Sequence, residues 1–308
     1  MAPKGQAKDY PLSGDQEDSV PKYDIVIIGH VANDILVYKG EVSGYIGGGA
    51  YFSAFVAKRC GVKFRVVTKL ARRDFWILDG LKKEDIEVTA IPSPKTTSIE
   101  NVFETDDVDR RKVRLLSHAD PFNPEDISDV ETRIYYLAGL FVGEIPDSLI
   151  VTLAQKGEVG LDLQAKLRFS EAGTFAFKDW PDKEKYIPMV TYLKADSLES
   201  EVATGTPDRE KAAKILHGLG AKEVMITHSS EVILYDGEKM FRAPFNPSNL
   251  SGRTGRGDTC FISYMSWRLT HGIEESLRYA AALTSIKMEK PGPFMGTMED
   301  VSARMKTL

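Results

Sequence analysis

Residues 251–265 read SGRTGRGDTCFISYM and combine closely spaced glycines with one acidic side chain. Gly255 and Gly257 carry no side chain, so the main chain around them can aim several N–H groups at one point. The apolar residues that follow have roughly helical spacing, which predicts a helix over Thr259–His271. A helix N-terminus carries partial positive charge, so this turn is suited to stabilising a phosphoryl group during its transfer.

Asp258 stands at the mouth of this turn, where its negative charge is unsuited to holding phosphate. A carboxylate there can instead take the proton from an attacking hydroxyl. The pattern favours phosphoryl transfer to an alcohol, with Asp258 as base and the main chain of Gly255, Arg256 and Gly257 completing an anion hole. A simpler interpretation stays open, in which Asp258 is only a helix N-cap. The tripeptide Arg256-Gly257-Asp258 is also the one that cell-adhesion receptors recognise, but its position at the start of a helix disfavours that role.

The glycine-rich turn needs a sheet to position it, and apolar runs of strand length alternate with helical stretches along most of the chain. The predicted strands are Tyr23–Val31, Phe64–Leu70, Ile134–Leu140, Val159–Leu163, Met189–Leu193 and Val224–Thr227. The other predicted helices are Ala50–Cys60, Asp147–Lys156, Glu199–Thr204, Asp208–Leu219 and Glu274–Lys290. This alternation predicts an α/β fold whose mainly parallel sheet is covered on both faces.

Two segments break the alternation and read as antiparallel strands. Ile35–Ile46 predicts a hairpin that turns at Lys39-Gly40, and residues 97–116 predict two strands joined by the polar turn Thr105–Asp109. We expect a small β-lid built from about residues 35–46 and 96–117, of the kind that closes over a substrate and excludes water. Its exposed alternating strands predict pairing of two lids in a homodimer.

The composition narrows the partners of the chain. Its 308 residues are 42% hydrophobic and 28% charged, with a net charge of -5, so no general footprint for nucleic acid is expected. No stretch approaches the ~20 apolar residues of a membrane span. Residues 1–22 are polar and lack the apolar core of a signal peptide, so we expect a flexible tail on a cytoplasmic protein.

Several short motifs, taken in order, resemble those of the ribokinase-like (PfkB) carbohydrate kinase family from about Tyr23 to the C-terminus. Gly252–Asp258 is similar to the family's second signature, and Gly47-Gly48-Gly49-Ala50 is similar to its first, a Gly-Gly turn that enters a helix. The resemblance implies a three-layer α/β/α kinase domain over residues 23–308, with ATP and Mg²⁺ as cofactors.

The resemblance also implies an acceptor site. Asp34 falls where the family uses an aspartate to bind substrate hydroxyls, beside the turn at Gly47 and Gly48. Some segments look similar to myo-inositol kinase-like members, which makes a cyclitol or a sugar the implied substrate. Further residues able to bind its hydroxyls are His30, Asn33, Asn101 and Gln164. Each is equally well explained as a polar residue satisfied at a strand end.

On the donor side, Asp196-Ser-Leu-Glu199 resembles the family's Asn-x-x-Glu motif. The resemblance implies that Glu199 organises magnesium through water, with Asp196 next to the phosphates. Thr227 matches a threonine near the ATP phosphates, and Gly292 matches a glycine beside the adenine.

Some positions depart from the family pattern. Phe52 replaces an asparagine after the Gly-Gly turn, and Gly252 replaces the first aspartate of the second signature. A monovalent-cation site that uses that carboxylate is therefore not expected. Arg256 replaces an alanine in the anion hole, where it either adds a cation at the phosphate or points to solvent.

Other functions remain to be compared with a polyol kinase. A nucleoside kinase of the same fold fits the same motifs, and the departures leave room for a sensor that binds ligand without turnover. A dinucleotide oxidoreductase is disfavoured because Gly47-Gly48-Gly49 lacks the G-x-G-x-x-G spacing. Asp258 discriminates between kinase and sensor, because a pure binder needs no carboxylate facing an anion hole.

Overall fold

The computed structural model describes residues 22–103, 111–171 and 173–308, and within these ranges the chain forms two β-sheets and ten α-helices. The expected N-terminal tail, apart from Lys22, and the expected turn at residues 105–109 lie outside the described residues. No helix in these ranges is both long and apolar enough to cross a bilayer.

The elements are numbered in chain order. The strands are β1 (Tyr23–Ile28), β2 (Ala32–Tyr38), β3 (Glu41–Gly47), β4 (Phe64–Leu70), β5 (Val88–Pro92), β6 (Ser98–Phe103), β7 (Arg111–Ser117), β8 (Thr132–Leu137), β9 (Glu158–Asp162), β10 (Arg168–Glu171), β11 (Thr174–Phe177), β12 (Tyr192–Asp196), β13 (Glu223–Thr227), β14 (Glu231–Tyr235) and β15 (Met240–Pro244). The helices are α1 (Gly49–Cys60), α2 (Asp79–Lys83), α3 (Asp147–Ala154), α4 (Gln164–Leu167), α5 (Lys183–Tyr186), α6 (Ser197–Thr204), α7 (Arg209–Gly218), α8 (Arg256–Arg268), α9 (Ile273–Met288) and α10 (Met298–Met305).

The larger sheet has the strand order β15-β14-β13-β12-β9-β8-β1-β4-β5, and every pair from β13 to β5 is parallel. Side chains of β1 alternate between two cores, because successive residues of a strand face opposite sides. Ile25 and Ile27 pack in the core with α1, α8 and α9, whereas Val26 and Ile28 pack in the core with α3 and α7. The predicted three-layer α/β/α fold is confirmed.

The second sheet has the order β10-β11-β7-β6-β2-β3 and contains both segments that broke the alternation. The hairpin β2–β3 turns at Lys39 and Gly40, whose φ angles of 49° and 88° fit a two-residue hairpin turn. The pair β2–β6 is parallel, and the other pairs are antiparallel. The hairpin β10–β11 and three strands of the larger sheet, β5, β14 and β15, were not predicted.

Most predicted boundaries differ from the observed ones by one to three residues, and two of the differences have a clear local cause. The strand expected at Met189–Leu193 begins at Tyr192, because a 3₁₀ turn with Pro188 at its centre occupies the preceding residues. The helix expected over Thr259–His271 begins at Arg256, because Gly255 with φ 80° caps it three residues earlier than the apolar spacing suggests, and it ends at Arg268.

The contact between α8 and the larger sheet yields a stability prediction. Phe261 is 1% exposed, and its ring meets the ring of Tyr136 on β8 edge to face at 5.2 Å. We expect Phe261→Ala to lower the free energy of unfolding by about 3–5 kcal/mol in urea titrations, since it opens a cavity in a close-packed layer. The control Leu250→Ala, at a site that is 53% exposed, should change it by less than about 0.5 kcal/mol.

Candidate active site

Two carboxylates meet at the three-glycine turn between β3 and α1. A Cβ atom added at Gly47 would lie 2.3 Å from Asp34 Oδ2, and one added at Gly49 would lie 2.6 Å from Asp258 Oδ1. At Gly48, whose φ is 100°, a Cβ would lie 2.2 Å from the carbonyl oxygen of His30. Only a turn without side chains fits here, and it places Asp34 and Asp258 on the same short stretch of main chain.

Asp34 is 5% exposed and is held by a chain of hydrogen bonds within the second sheet. Its Oδ1 accepts from the Ile99 N–H at 2.8 Å, and its carboxylate also accepts from the Tyr45 hydroxyl. Asn101 Nδ2 donates to that hydroxyl at 2.8 Å. Burial raises the pKa of Asp34 to about 7, and the bonds from Ile99 and Tyr45 oppose this rise. Tyr45 was missed by the sequence analysis.

The first turn of α8 offers unused main-chain donors. Gly255 is the N-cap of the helix, in the left-handed conformation with φ 80°. Within the described residues, no hydrogen-bond acceptor is found for the N–H groups of Gly255 and Gly257. A Cβ added at Gly255 would lie 2.6 Å from the ring of Phe52, so the glycine rests directly on that ring. Free N–H groups at the positive end of a helix form an anion site.

Asp258 lies in this first turn and is partly exposed. Burial, together with the nearby charge of Asp162, raises the pKa of Asp258 to about 6, and Lys194 and Lys287 oppose this rise. A carboxyl group with this pKa is ionised at neutral pH and is a stronger base than an exposed aspartate. The position and the pKa both suit a general base.

A buried ion cluster lies directly beneath the anion site formed by the N–H groups of Gly255 and Gly257, which we call the cradle. Lys194 Nζ is 2.9 Å from Asp162 Oδ2 and 3.5 Å from Glu199 Oε2. A Cβ added at Gly257 would lie 3.0 Å from Lys194 Nζ, which shows how closely the ammonium group approaches the helix N-terminus. Burial disfavours the charge on Lys194, but Asp162 and Glu199 outweigh it and raise the pKa of the lysine. The sequence analysis missed Lys194, whose signal is a lysine inside the apolar strand β12.

Asp196 and Glu199 form a capping box at the start of α6. The Glu199 N–H donates to Asp196 Oδ1 at 2.8 Å, and the Asp196 N–H donates to Glu199 Oε2 at 2.7 Å. Burial raises the pKa of Glu199, and the neighbouring Lys194 opposes this rise. No group of three or more metal-ligating side chains occurs in the described ranges. Glu199 is 1% exposed and its Oε2 is engaged by the Asp196 N–H and by Lys194, so direct ligation of a metal through that oxygen is disfavoured.

The C-terminal end of β13 carries polar and basic groups. Thr227 is 1% exposed, and its Oγ1 has no hydrogen-bond partner among the described residues. Next to it, burial and the positive charges of Arg209 and Arg256 lower the pKa of His228. Glu231 opposes this fall and pairs with Arg209 at 2.7 Å, so the basic groups here are partly neutralised. The unpartnered hydroxyl of Thr227 can donate to a phosphate oxygen. Gly292 has φ 84° and lies exposed between α9 and α10.

The ring of His30 is satisfied within the protein, which is the second of the two interpretations that the sequence left open. It is fully buried, its Nε2 is 3.1 Å from the carbonyl oxygen of Asp120, and its Nδ1 is 2.9 Å from Thr97 Oγ1. Burial lowers the pKa of His30 to about 3, so the ring is neutral. Asn33 and Gln164 are half-buried, and their role stays a prediction.

Comparison with known proteins identifies the family. Residues 17–298 match the model of the pfkB family carbohydrate kinases, and the chain belongs to this family. The protein is therefore a kinase with a ribokinase-like fold.

Individual relatives are similar to this protein over most of its length. A sulfate complex of a pyrophosphate-dependent kinase in the ribokinase family is 38% identical, with a TM-score of 0.85, over 91% of this chain and 99% of that chain. A pyrophosphate-dependent kinase in complex with a pyrophosphate analog and myo-inositol is 37% identical, with a TM-score of 0.84 and the same coverage. The cytidine kinase of Thermococcus kodakarensis is 28% identical over 257 residues, which are 76% of this chain and 84% of that protein.

The contact between Gly255 and Phe52 can be tested with a matched pair of glycine variants. Gly255→Ala and Gly205→Ala both place a side chain at a left-handed position, with φ 80° and 73°, but only the first meets another residue. We expect Gly205→Ala to cost about 1–2 kcal/mol of unfolding free energy, from the backbone alone, and Gly255→Ala to cost clearly more. Equal losses in chemical denaturation would show that Phe52 does not brace the turn.

Proposed function

We propose that this kinase phosphorylates a hydroxyl group of a cyclitol such as myo-inositol, with Asp258 as the general base. The observation that carries the proposal is the meeting of Asp34 and Asp258 at the Gly47–Gly49 turn, beside the free N–H groups that open α8. One carboxylate there holds a hydroxyl-rich acceptor, and the other takes a proton.

The reaction follows from this arrangement. Asp34 accepts hydrogen bonds from the acceptor and orients the reacting hydroxyl, whose proton passes to Asp258 as its oxygen attacks the terminal phosphorus of the donor. The bond from that phosphorus to the bridging oxygen breaks, and the remainder of the donor leaves. The N–H groups of Gly255 and Gly257 stabilise the charge on the phosphoryl oxygens, which is the main source of catalysis in phosphoryl transfer.

Support for a cyclitol acceptor comes from two sides. A relative 37% identical to this chain was solved with myo-inositol. Within the second sheet, Asp34, Tyr45 and Asn101 form a continuous hydrogen-bonding row, which suits a ring with several neighbouring hydroxyls. A nucleoside acceptor is the second candidate, favoured by the similarity to a cytidine kinase.

For the donor, we propose pyrophosphate in place of the ATP expected from the sequence. The two relatives at 37–38% identity are pyrophosphate-dependent. The buried and unpartnered hydroxyl of Thr227 at the end of β13 could also donate to a phosphate oxygen of either donor. ATP, the donor that the family resemblance implies, is the second candidate.

We propose that Mg²⁺ binds as a complex with the phosphate donor. Mg²⁺ prefers oxygen ligands and keeps several waters, so donor phosphates would supply its direct ligands. Asp196 and Glu199 would hold it through water, with Glu199 as the residue that the sequence assigned to this role. The ion would neutralise phosphate charge as the leaving group departs.

The second sheet is proposed to act as a lid over the acceptor. It supplies Asp34 and contains exposed apolar side chains at Tyr38, Val42 and Leu116. These side chains support the expected pairing of two lids in a homodimer, which light scattering at micromolar concentration would measure.

A panel assay tests donor and acceptor together. With pyrophosphate or ATP as donor and myo-inositol, ribose or cytidine as acceptor, we expect the highest kcat/KM for pyrophosphate with myo-inositol. The product is measured by phosphorus NMR, which reports every donor equally. Preference for ATP would overturn the donor assignment, and preference for cytidine would overturn the acceptor. Ligand binding without turnover on any pair would favour the sensor.

The base assignment predicts a large effect and a pH profile. Asp258→Asn should lower kcat about 10²–10⁴-fold, because a positioned base contributes that much. In the wild type, kcat/KM should fall about tenfold per pH unit below pH 6, because protonation of a group with a pKa of about 6 removes the base. Asp85→Asn makes the same charge change on the surface and should leave both unchanged. Full activity of Asp258→Asn would exclude the assignment.

A further inference from the structure

Lys287 lies at the end of α9, far along the chain from the cradle, yet its side chain reaches the loop that leads into it. It is 2% exposed. Its Nζ donates to the carbonyl oxygen of Gly252 at 2.5 Å and to the carbonyl oxygen of Thr254. These two carbonyls come just before Gly255, the residue that caps α8.

The other neighbours of this ammonium group also favour a positive charge. Lys287 Nζ lies 5.3 Å from the centre of the Phe52 ring, a distance suited to a cation–π contact. Burial lowers the pKa of Lys287 to about 8, and the charge of Asp258 opposes this fall. The Phe52 ring therefore contacts both Gly255 and Lys287, and this one aromatic side chain lies between the cradle and the buried ammonium group.

We propose that Lys287 is a positioning residue that sets the direction of the cradle's N–H groups. In a trans peptide the C=O and the following N–H point in opposite directions. When the lysine holds the Thr254 carbonyl toward itself, the Gly255 N–H must point away from it. A buried ammonium group that grips two carbonyls of this loop thus fixes where the anion binds. The inference deepens the proposed function and rests on it.

The geometry around Gly252 shows why the loop depends on the lysine. A Cβ added at Gly252 would lie 1.8 Å from the carbonyl oxygen of Lys290, so no side chain of its own can brace the loop there. The Gly252 N–H donates to the Met288 carbonyl at 2.8 Å. The loop is therefore fastened to the end of α9 by the Gly252 N–H, by the lysine and by the Ser251 hydroxyl, which donates to the Glu289 carbonyl at 2.7 Å. Of these contacts, only that of the lysine extends to the Thr254 carbonyl next to Gly255.

Truncating the lysine leaves a space lined by two carbonyl oxygens and an aromatic face. Such a space attracts a small monovalent cation, because carbonyl oxygens replace part of the ion's water shell and the ring face attracts positive charge. We therefore expect Lys287→Ala to respond to potassium and ammonium ions, to which the wild type, with its own ammonium in place, is indifferent.

The experiment compares Lys287→Ala, Lys287→Met and the control Lys290→Ala, which removes an exposed lysine three residues away. Both Lys287 variants should lower kcat about 100-fold, as expected for disturbing an anion hole, and raise the donor KM, with the acceptor KM unchanged. Potassium or ammonium chloride, compared with choline chloride at equal ionic strength, should restore at least about tenfold of the lost kcat in Lys287→Ala. Lys287→Met fills the space and should not be rescued.

Two further readouts separate this inference from the proposed function. Calorimetry measures pyrophosphate binding without turnover, and thermal unfolding compares Lys287→Ala in potassium and choline chloride. Weaker binding and stabilisation by potassium would support Lys287 even if no acceptor is phosphorylated, an outcome that would overturn the proposed function alone. Wild-type kinetics in folded Lys287→Ala would overturn the role of Lys287. So would an unfolded Lys287→Ala together with a fully active Lys287→Met.

Discussion

Crowding of negative charge at the start of α8 is the constraint on which the rest of the site depends. Asp162, Glu199 and Asp258 approach one another there, and removing carboxylates from water is costly unless cations accompany them. Lys194 lies between the first two, and Lys287 attracts the third. Burial and Asp162 raise the pKa of Asp258 while the two lysines lower it, so the carboxyl group is ionised at neutral pH but more basic than an exposed aspartate. A change to either lysine therefore acts on the Asp258 carboxylate through space.

The order of the larger sheet explains how distant residues reach this place. Asp162, Asp196 and Thr227 end the neighbouring strands β9, β12 and β13. Because these strands are parallel, their carboxyl ends share one edge of the sheet, where open α/β folds bind ligands. The row of polar groups is thus a product of topology, and the N-terminus of α8 completes it.

The sequence predicted the parts of the site that have a local signal. The three-glycine turn, Asp34 and Asp258 were named from spacing and resemblance, and the structure brings them together. Tyr45 was overlooked, although the predicted hairpin turn was enough to place it opposite Asp34. A two-residue turn at Lys39-Gly40 pairs Asp34 with Tyr45, as observed in the register of the hairpin.

Other features have no local signal. Lys287 contacts Gly252 across 35 residues of sequence, and no motif near either residue indicates the pairing. The role of His30 was left open for a related reason, because in the sequence a polar residue at a strand end looks the same whether it faces a ligand or is satisfied internally. Thr97 and the carbonyl of Asp120 occupy its ring, and both come from segments far along the chain.

Gly48 joins the second sheet to the first helix of the larger layer, and its surroundings have a mechanical consequence. The residue has φ 100° and lies so close to the His30 carbonyl that a methyl group does not fit. The connection between β3 of the second sheet and α1 is therefore closely packed, with no room for an added side chain. Asp34 on one side and Asp258 on the other lie directly against this three-glycine turn, so lengthening the connection by even one residue would separate the two carboxylates on which the proposed reaction depends.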